Sequence, residues 1–357
     1  MAARMLARYD WFLMAAIGVL ATASMLSITS ISSRLAIVQT IWFTLAFTII
    51  FLASRIDFRA VANYRWMILS IYTGAFVLLV STLFFAPIIH ESRSWLALGS
   101  FRFQPSELMK VALIILSSVF FARRHVSIGH VRNLFVSFVY FLVPALVILA
   151  QPDWGSALVI LILWGGFLLV SGIRWRHLAV GMIVVAIFGM LSWQFFLEPY
   201  QKERILGFLD PTYDPLGVNY SVIQAQIAIG SAGFFGKGFG QGTQTQLGFL
   251  PEPTNDFIFA AFVEEWGLFG GAVVLGAFLF LIFRIVRVGL RTTDSFSQFI
   301  CLGTAILFLT EFVLNIGSNL ALLPVVGVTF PFLSYGGSSL LTKAMLVGII
   351  QGIASKS

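Results

Sequence analysis

The sequence predicts an all-α polytopic membrane protein with about ten transmembrane helices and one long extracytoplasmic loop between the seventh and eighth. Of the 357 residues, 59% are hydrophobic and 10% are charged, with a mean hydropathy of +0.95. An average soluble domain is about 25% charged. Apolar runs of roughly 20 residues, the length that crosses a hydrocarbon layer, fill most of the chain. We therefore predict a single transmembrane domain over 1–357 and no separate soluble domain.

Ten apolar runs bounded by charges or turn residues are the predicted spans. They are 11–31, 35–54, 66–88, 106–122, 133–151, 154–173, 178–197, 256–283, 297–324 and 334–354. The first could imitate a secretory signal, because Arg4 and Arg8 precede an Ala-x-Ala step at 21–23. Its apolar run continues to Ile31, however, which is long enough to span and predicts a retained signal anchor.

The large extracytoplasmic loop is predicted over 198–255. Asn219-Tyr220-Ser221 is followed by Ile223 and Ile227 at helical spacing, and then by a glycine-rich stretch at 236–242. This pattern predicts a short interfacial or re-entrant helix followed by a tight loop. Loops of such length usually carry function.

Basic residues predict the orientation, because cytoplasmic loops retain Lys and Arg. With the N-terminus inside, the cytoplasmic set is Arg4, Arg8, Arg55, Arg59, Arg65, Arg123, Arg124, Arg132, Arg174, Arg176, Arg284, Arg287, Arg291 and Lys356. Of the 15 acidic residues, only Asp10, Asp57 and Asp294 share that side. Both termini are therefore predicted to be cytoplasmic. The net charge of +7 then reflects membrane topology, and nucleic acid is not a predicted partner.

Asp256 opens the eighth predicted span after the proline-rich segment 250–255. It could act as the helix N-cap, where the helix dipole stabilises a negative charge. An ionised, rigidly placed carboxylate is also what a general base requires, and the two roles are compatible. Glu264 and Glu265 lie roughly 12–13 Å further along the helix, so they are not its direct partners. They form either a structural ion pair or part of a substrate groove.

A second polar cluster precedes the fourth span. Arg93 and Arg102 are followed by Glu107 and Lys110, which have an i, i+3 spacing. This spacing fits an ordinary ion pair that anchors a helix end. Basic groups are scarce on this face, however, and arginine and lysine suit a diphosphate ligand.

Two further polar residues have weaker signals. Asp153, in a short outer turn, is either the N-cap of the sixth span or a functional carboxylate. Lys237 follows Gly236, but Ser231 and Gly238 break the phosphate-loop pattern, so ATP binding is not predicted. The four histidines have no metal-ligand spacing. The single cysteine, Cys301, excludes an intramolecular disulfide.

Helix-breaking residues are concentrated late in the chain. Pro324 and the segment 330–339 would interrupt helices at membrane depth. Lipid tolerates such breaks only where the freed backbone is buried in protein or lines a cavity. A cavity near the outer leaflet is predicted here.

Together these strings resemble the SEDS family (shape, elongation, division and sporulation), and within it the RodA branch rather than the FtsW branch. The matching pieces are Phe103-Gln104-Pro105-Ser106-Glu107, Gln151-Pro152-Asp153, Ile227-Ala228-Ile229-Gly230-Ser231, Gly236-Lys237-Gly238, Gly242-Thr243-Gln244, Leu250-Pro251-Glu252 with Asp256, and Pro331-Phe332-Leu333-Ser334-Tyr335-Gly336-Gly337-Ser338-Ser339. The resemblance implies a bacterial cytoplasmic (inner) membrane protein that polymerises lipid II, the undecaprenyl-diphosphate-linked precursor of peptidoglycan. It also implies a class B penicillin-binding transpeptidase and other elongation-complex membrane proteins as partners.

The resemblance assigns roles to individual residues. Asp256 matches the catalytic aspartate, which would deprotonate the acceptor hydroxyl. Arg93, Arg102 and Lys110 would stabilise the departing diphosphate, with Lys237 a further contributor. Glu107 and Asp153 complete the predicted substrate-binding set.

Cofactors and departures from the family pattern complete the expectation. No sequence motif indicates a metal site. A divalent cation, Mg²⁺ or Mn²⁺, is the one cofactor that the reaction could use. The family commonly has Pro-Glu-x-His-Thr-Asp, whereas Thr254 and Asn255 here replace the histidine and threonine. A histidine relay is therefore excluded at that site. In the usual Gln-Pro-Asp-Leu-Gly-Thr string, Trp154 and Ser156 replace leucine and threonine.

Two other functions compete with a glycosyltransferase: a flippase for the lipid-linked precursor, and a scaffold that docks a partner enzyme. Discontinuous helices and a cationic site also suit a transporter. A flippase should carry charge along the whole crossing path. Here the cluster is confined to the outer end, with Glu264, Glu265, Glu311 and Lys343 as the deeper candidates. This asymmetry favours chemistry at the membrane surface.

Overall fold

The computed structural model describes residues 9–87, 93–98, 101–124, 131–173, 190, 194, 199–210 and 213–356, and within these ranges it is nearly all helical. In chain order the elements are α1 (Trp11–Ile31), α2 (Ser33–Ala53), α3 (Phe58–Asn63), α4 (Arg65–Phe85), β1 (Leu96–Leu98), β2 (Phe101–Phe103), α5 (Pro105–Arg124), α6 (Val131–Leu149), α7 (Trp154–Val170), α8 (Pro199–Leu209), α9 (Tyr220–Ser231), α10 (Thr243–Gln246), α11 (Ile258–Arg291), α12 (Ser295–Asn319) and α13 (Gly337–Ala354).

The predicted fold class, a multi-pass helical membrane protein, is confirmed. Among the described residues, eight helices are long and apolar enough to cross a membrane: α1, α2, α4, α5, α6, α11, α12 and α13. Helix α7 is also apolar but shorter. These nine helices correspond to nine of the ten predicted spans, with ends that differ by up to eight residues, the largest difference being the end of α11 at Arg291 instead of 283. The seventh predicted span, 178–197, lies outside the described residues except for 190 and 194, as do the basic residues of 1–8, Arg174 and Arg176.

Helix α12 lies at the centre of the bundle. It packs against α5, α7, α11 and α13, while α13 also packs on α2 and α11 on α1. Three phenylalanine rings join this core to the chain after α12: Phe278 and Phe312 stack 4.4 Å apart, and Phe330 meets each edge-on at 5.3 Å. Such edge-to-face contacts add to the energy of apolar burial. They pack Phe330 against the interior of α11 and α12, while Val328 O accepts from Asn315 Nδ2 at 2.9 Å near the C-terminal end of α12.

Helix α11 is broken at Gly267, whereas the sequence pattern predicted an uninterrupted span. Gly267 has φ 71° and ψ −176°. The chain at 233–238 pairs with the break: Lys237 N donates to Glu264 O at 3.0 Å, and Leu268 N donates to Gly233 O at 3.1 Å. A Cβ on Gly267 would lie 2.3 Å from the backbone nitrogen of Gly236, so only glycine fits. The predicted extracytoplasmic loop is therefore joined by backbone hydrogen bonds to α11.

The segment predicted as that loop contains a short helix, whose interfacial or re-entrant placement stays a prediction. Helix α9 covers Tyr220–Ser231 and packs on α11. The glycine-rich stretch after it is a tight loop with positive φ at Gly236, Gly238 and Gly240, which agrees with the prediction from the sequence.

A small antiparallel hairpin precedes α5 and was not predicted. Strands β1 and β2 pair with Leu96 opposite Phe103 and Ala97 opposite Arg102. Two residues, Gly99 and Ser100, separate the strands, and a two-residue connection with glycine between apolar runs is a hairpin signal. Strand β2 contacts α13, which brings Arg102 to the end of the bundle that carries the segment 325–336.

Candidate active site

The backbone of Asp256 is held by two amide side chains of α12. Helix α11 begins at Ile258 with Phe257 in the N-cap position, so the interpretation of Asp256 as the helix N-cap is wrong. The carbonyl oxygen of Asp256 accepts hydrogen bonds from Asn315 Nδ2 at 3.0 Å and Asn319 Nδ2 at 2.7 Å. The Asp256 residue itself is partly exposed. Its main chain is thus fixed, and the residue is only partly buried.

The segment 325–336 closes around the residues before α11. Tyr335 N donates to Thr254 O at 2.8 Å, and Ser334 Oγ donates to Asn255 O at 2.8 Å. At Gly327, which has φ 69°, a Cβ would lie 4.0 Å from Asp256 Oδ2. The late proline- and glycine-rich string is therefore hydrogen-bonded to Thr254 and Asn255, the two residues that precede Asp256.

Asp153 caps α7, which is the first of its two predicted alternatives. Its Oδ1 accepts from Ser156 N at 3.1 Å, and its Oδ2 accepts from Gln104 Nε2 at 2.9 Å. Arg93 lies beside this turn, because its backbone nitrogen donates to Gln151 O at 3.3 Å. A further role for Asp153 in substrate binding stays a prediction.

The α7 turn also packs tightly on the segment 325–328. A Cβ on Gly155 would lie 2.0 Å from Val326 O. The start of α7 therefore contacts Val326, and the next residue, Gly327, lies beside the carboxylate of Asp256.

Arg102 is exposed and lies near Tyr335. Arg93 is likewise exposed. These two arginines thus place exposed positive charge at the end of the bundle that carries Asp256.

Glu107 and Lys110 lie in a buried ion network. Lys110 Nζ is 2.7 Å from Glu107 Oε1 and 2.7 Å from Glu311 Oε1, while Lys343 Nζ is 3.1 Å from Glu311 Oε2. All four residues are at most 6% exposed. The i, i+3 pairing of Glu107 and Lys110 was predicted, but the partners on α12 and α13 were not. The structure does not bring Lys110 to the surface with Arg93 and Arg102, and its contact with a diphosphate stays a prediction.

Lys237 pairs with Glu264, which resolves the alternatives for that acid in favour of a structural ion pair. Lys237 Nζ lies 2.9 Å from Glu264 Oε1, and Glu264 also accepts from the backbone nitrogens of Gln244 and Thr245 at 2.8 and 3.1 Å. The acid therefore secures the loop that contains α10. Glu265 accepts from Ser30 Oγ and, at 3.2 Å, from the side-chain amide of Gln246. A role for Lys237 in binding substrate stays a prediction.

Sequence reasoning did not find all the residues that build this site. Asn315, Asn319 and Gly327 were not predicted as parts of the site. Within the described ranges, no group of three or more His, Cys, Asp or Glu side chains is placed to hold a metal ion. A Mg²⁺ or Mn²⁺ ion at Asp256 would therefore need further oxygen ligands from substrate and water, as Mg²⁺ commonly does beside phosphates.

The chain is similar to known proteins along most of its length. A family model described as cell cycle protein, FtsW/RodA/SpoVE, matches residues 4–357. Among curated relatives, peptidoglycan glycosyltransferase MrdB of Escherichia coli (strain K12) is 38% identical over 283 residues, covering 79% of this chain and 76% of the relative. Stage V sporulation protein E of Bacillus subtilis (strain 168) is 38% identical and covers 74% and 72%. A probable peptidoglycan glycosyltransferase FtsW of Geobacter sp. (strain M18) is 37% identical and covers 82% and 79%.

Solved structures share the fold. One, described as showing structural coordination of polymerization and crosslinking by a peptidoglycan synthase complex, has a TM-score of 0.84 at 30% identity and covers 98% of both chains. The rod shape determining protein RodA of Thermus thermophilus has a TM-score of 0.73 at 25% identity, covering 97% of this chain and 96% of that one.

Proposed function

Because the chain belongs to the FtsW/RodA/SpoVE family and is a peptidoglycan glycosyltransferase, we propose that it polymerises lipid II with Asp256 as the general base. The family membership confirms the resemblance drawn from the motifs. Within this family the finer assignments of substrate, residues and orientation are our proposal.

In the proposed reaction the Asp256 carboxylate takes the proton from the 4-hydroxyl of the acceptor sugar. The hydroxyl oxygen attacks the anomeric carbon of the donor and forms the new glycosidic bond, while the bond from that carbon to the diphosphate oxygen breaks with inversion. The polyprenyl diphosphate leaves with the electron pair of that bond. A positioned general base contributes typically 10²–10⁴-fold to the rate of such a step.

The observation that carries this proposal is the placement of Asp256. Two buried amides fix its main chain, and its side chain is partly exposed beside Gly327. This placement supports the assignment, because a general base must be held in position and be accessible to the substrate.

Arg93 and Arg102 supply the positive charge proposed for the diphosphate. Both are exposed, and guanidinium groups bind phosphate oxygens through paired hydrogen bonds. Lys110 carries a charge that Glu107 and Glu311 already neutralise, and Lys237 is paired with Glu264. In our proposal, therefore, the two arginines are the main ligands of the leaving group, and Lys110 and Lys237 contribute positive charge that their carboxylate partners reduce.

The proposed setting is the bacterial cytoplasmic membrane, with both termini in the cytoplasm and Asp256 on the outer face. The basic residues of the inner loops support this orientation. The proposed partners are a class B penicillin-binding transpeptidase and other membrane proteins of cell elongation. The similarity to a chain from a peptidoglycan synthase complex supports the first of these.

The flippase alternative is not favoured by the relatives. The deeper charged residues also do not form a free path, since Glu264 pairs with Lys237 and Glu311 pairs with Lys110 and Lys343.

Proteoliposomes with the partner transpeptidase and labelled lipid II test the proposal. We expect wild-type protein to form glycan polymer and Asp256→Ala to form none while remaining folded. Full polymer from Asp256→Ala would refute the assignment of the base. Translocation of lipid II by that same variant, without polymer from the wild type, would favour the flippase.

A further inference from the structure

The side chain of Asn319 is inserted into what would otherwise be the next turn of α11. In an α-helix the carbonyl of residue 256 would accept from the N–H of residue 260. Here Ala260 N donates to Asn319 Oδ1 at 3.1 Å, and Asn319 Nδ2 donates to Asp256 O at 2.7 Å. One side-chain amide thus satisfies both backbone groups and stops the helix from extending back to Asp256.

Asn315 makes a second connection from the same face of α12. Its Nδ2 donates to Asp256 O at 3.0 Å and to Val328 O at 2.9 Å. Val328 follows Gly327, which lies beside the Asp256 carboxylate. Asn315 therefore sets the distance between the backbone of Asp256 and the segment that borders its side chain.

The orientation of both amides follows from their partners. Asn315 Nδ2 contacts two carbonyl oxygens, and only the nitrogen end of an amide donates. Asn319 Nδ2 likewise contacts the carbonyl oxygens of Asp256 and Asn315, while its oxygen faces an N–H. Asn315 is 1% exposed and Asn319 is 0% exposed, so neither amide can turn to water.

We propose that Asn315 and Asn319 are positioning residues, which hold Asp256 outside α11 so that its carboxylate faces the substrate. This inference rests on the proposed function of Asp256. Neither asparagine contacts the reacting atoms; they act through the Asp256 main chain. Because a misplacement of about 1 Å can cost about 10²-fold in rate, these hydrogen bonds should appear in kcat.

The test compares Asn315→Leu, Asn319→Leu and the double variant in lipid II polymerisation with the partner transpeptidase. Leucine has the same number and branching of side-chain heavy atoms as asparagine but neither donates nor accepts. We expect each single variant to lower kcat about 10-fold with KM nearly unchanged, because one amide still holds the Asp256 carbonyl. The double variant should lose more than the product of the two single losses, because the carbonyl then has neither donor. All three should keep the shape of the wild-type pH profile.

Thr304→Val is the matched control. Thr304 is a fully buried polar residue of α12 whose hydroxyl donates to Ile300 O at 2.8 Å within the helix. We expect its kcat to remain within about twofold of wild type, since a helix-internal hydroxyl does not reach Asp256. Hydrogen exchange at the backbone amide of Ala260 gives a second readout. In Asn319→Leu this amide loses its Asn319 partner, and it either becomes exposed to solvent or donates to Asp256 O because α11 extends.

The outcomes separate this inference from the proposed function. If Asp256→Asn is inactive and the asparagine variants keep the wild-type kcat per folded molecule, the positioning role is overturned and the base assignment stands. If the losses appear only as less folded protein or as a raised KM, the positioning role is also overturned. If Asp256→Asn keeps full activity, the base assignment fails, and the positioning role fails with it.

Discussion

The buried network of Glu107, Lys110, Glu311 and Lys343 gives a quantitative prediction about stability. It contains two positive and two negative charges, and Glu311 joins the two lysines at 2.7 and 3.1 Å. Glu311→Gln would leave two buried ammonium groups with a single carboxylate. Removing one partner of a buried ion pair typically costs about 3–5 kcal/mol, because the remaining charge is uncompensated.

Lys343→Met should cost a similar amount, since it leaves the two carboxylates with Lys110 alone. The double variant Glu311→Gln/Lys343→Met keeps the pair of Glu107 and Lys110 at 2.7 Å and is neutral again. Replacing a whole buried pair is often nearly neutral. We therefore expect the double variant to lose well under the sum of the single losses, with a coupling energy of at least about 2 kcal/mol.

Denaturant titrations in mixed micelles measure these free energies of unfolding for the wild type and the three variants. Lys356→Met is the control, because Lys356 pairs with Asp57 at 2.9 Å with both side chains more than one-third exposed. Exposed pairs contribute up to about 1 kcal/mol. Additive losses for Glu311→Gln and Lys343→Met would refute the assignment of a charge-balanced network.

Three further predictions concern packing, pH and metal binding. Gly155→Ala should lower both stability and polymerisation, because its Cβ would lie 2.0 Å from Val326 O. Gly165→Ala on the same helix is the control, because its Cβ would meet open space and should be tolerated. Melting curves and polymerisation assays of both variants check this prediction. The hydrogen bond from Lys356 lowers the pKa of Asp57. This carboxylate therefore stabilises the fold above its unfolded pKa, and the contribution is lost as the pH falls through the lowered folded-state pKa. Asp57→Asn should remove this part of the pH dependence of stability. We expect Mn²⁺ to bind weakly to the protein alone and more tightly with a polyprenyl diphosphate present, as measured by electron paramagnetic resonance; tight binding without diphosphate would contradict this.

The spans could be predicted from the sequence because lipid demands long apolar runs, and composition alone reveals them. The short helix α9 and the positive-φ glycine loop after it were also predictable, since each depends on local spacing. Gly267 gave no such signal. It is one of four glycines in the predicted span 256–283, and its break depends on backbone pairing with the chain at 233–238.

The site was predictable only in part. Asp256 was found because it opens a predicted span and matches a family pattern, and Arg102 because basic residues are scarce on the predicted outer face. Asn319 was not found as a partner of Asp256, because its contact joins residues that are 63 positions apart. The partnership of Lys110 with Glu311 spans 201 positions, and a sequence without aligned relatives carries no direct record of such contacts.

The central claim is that the Asp256 carboxylate is the base for glycan polymerisation. The most direct measurement is the single-turnover rate of glycosidic bond formation by Asp256→Asn in proteoliposomes, with Asp57→Asn as the matched carboxylate-to-amide control at a predicted cytoplasmic position. We predict at least about a 10²-fold loss for Asp256→Asn and a rate within about twofold of wild type for Asp57→Asn. A wild-type rate from folded Asp256→Asn would contradict the claim.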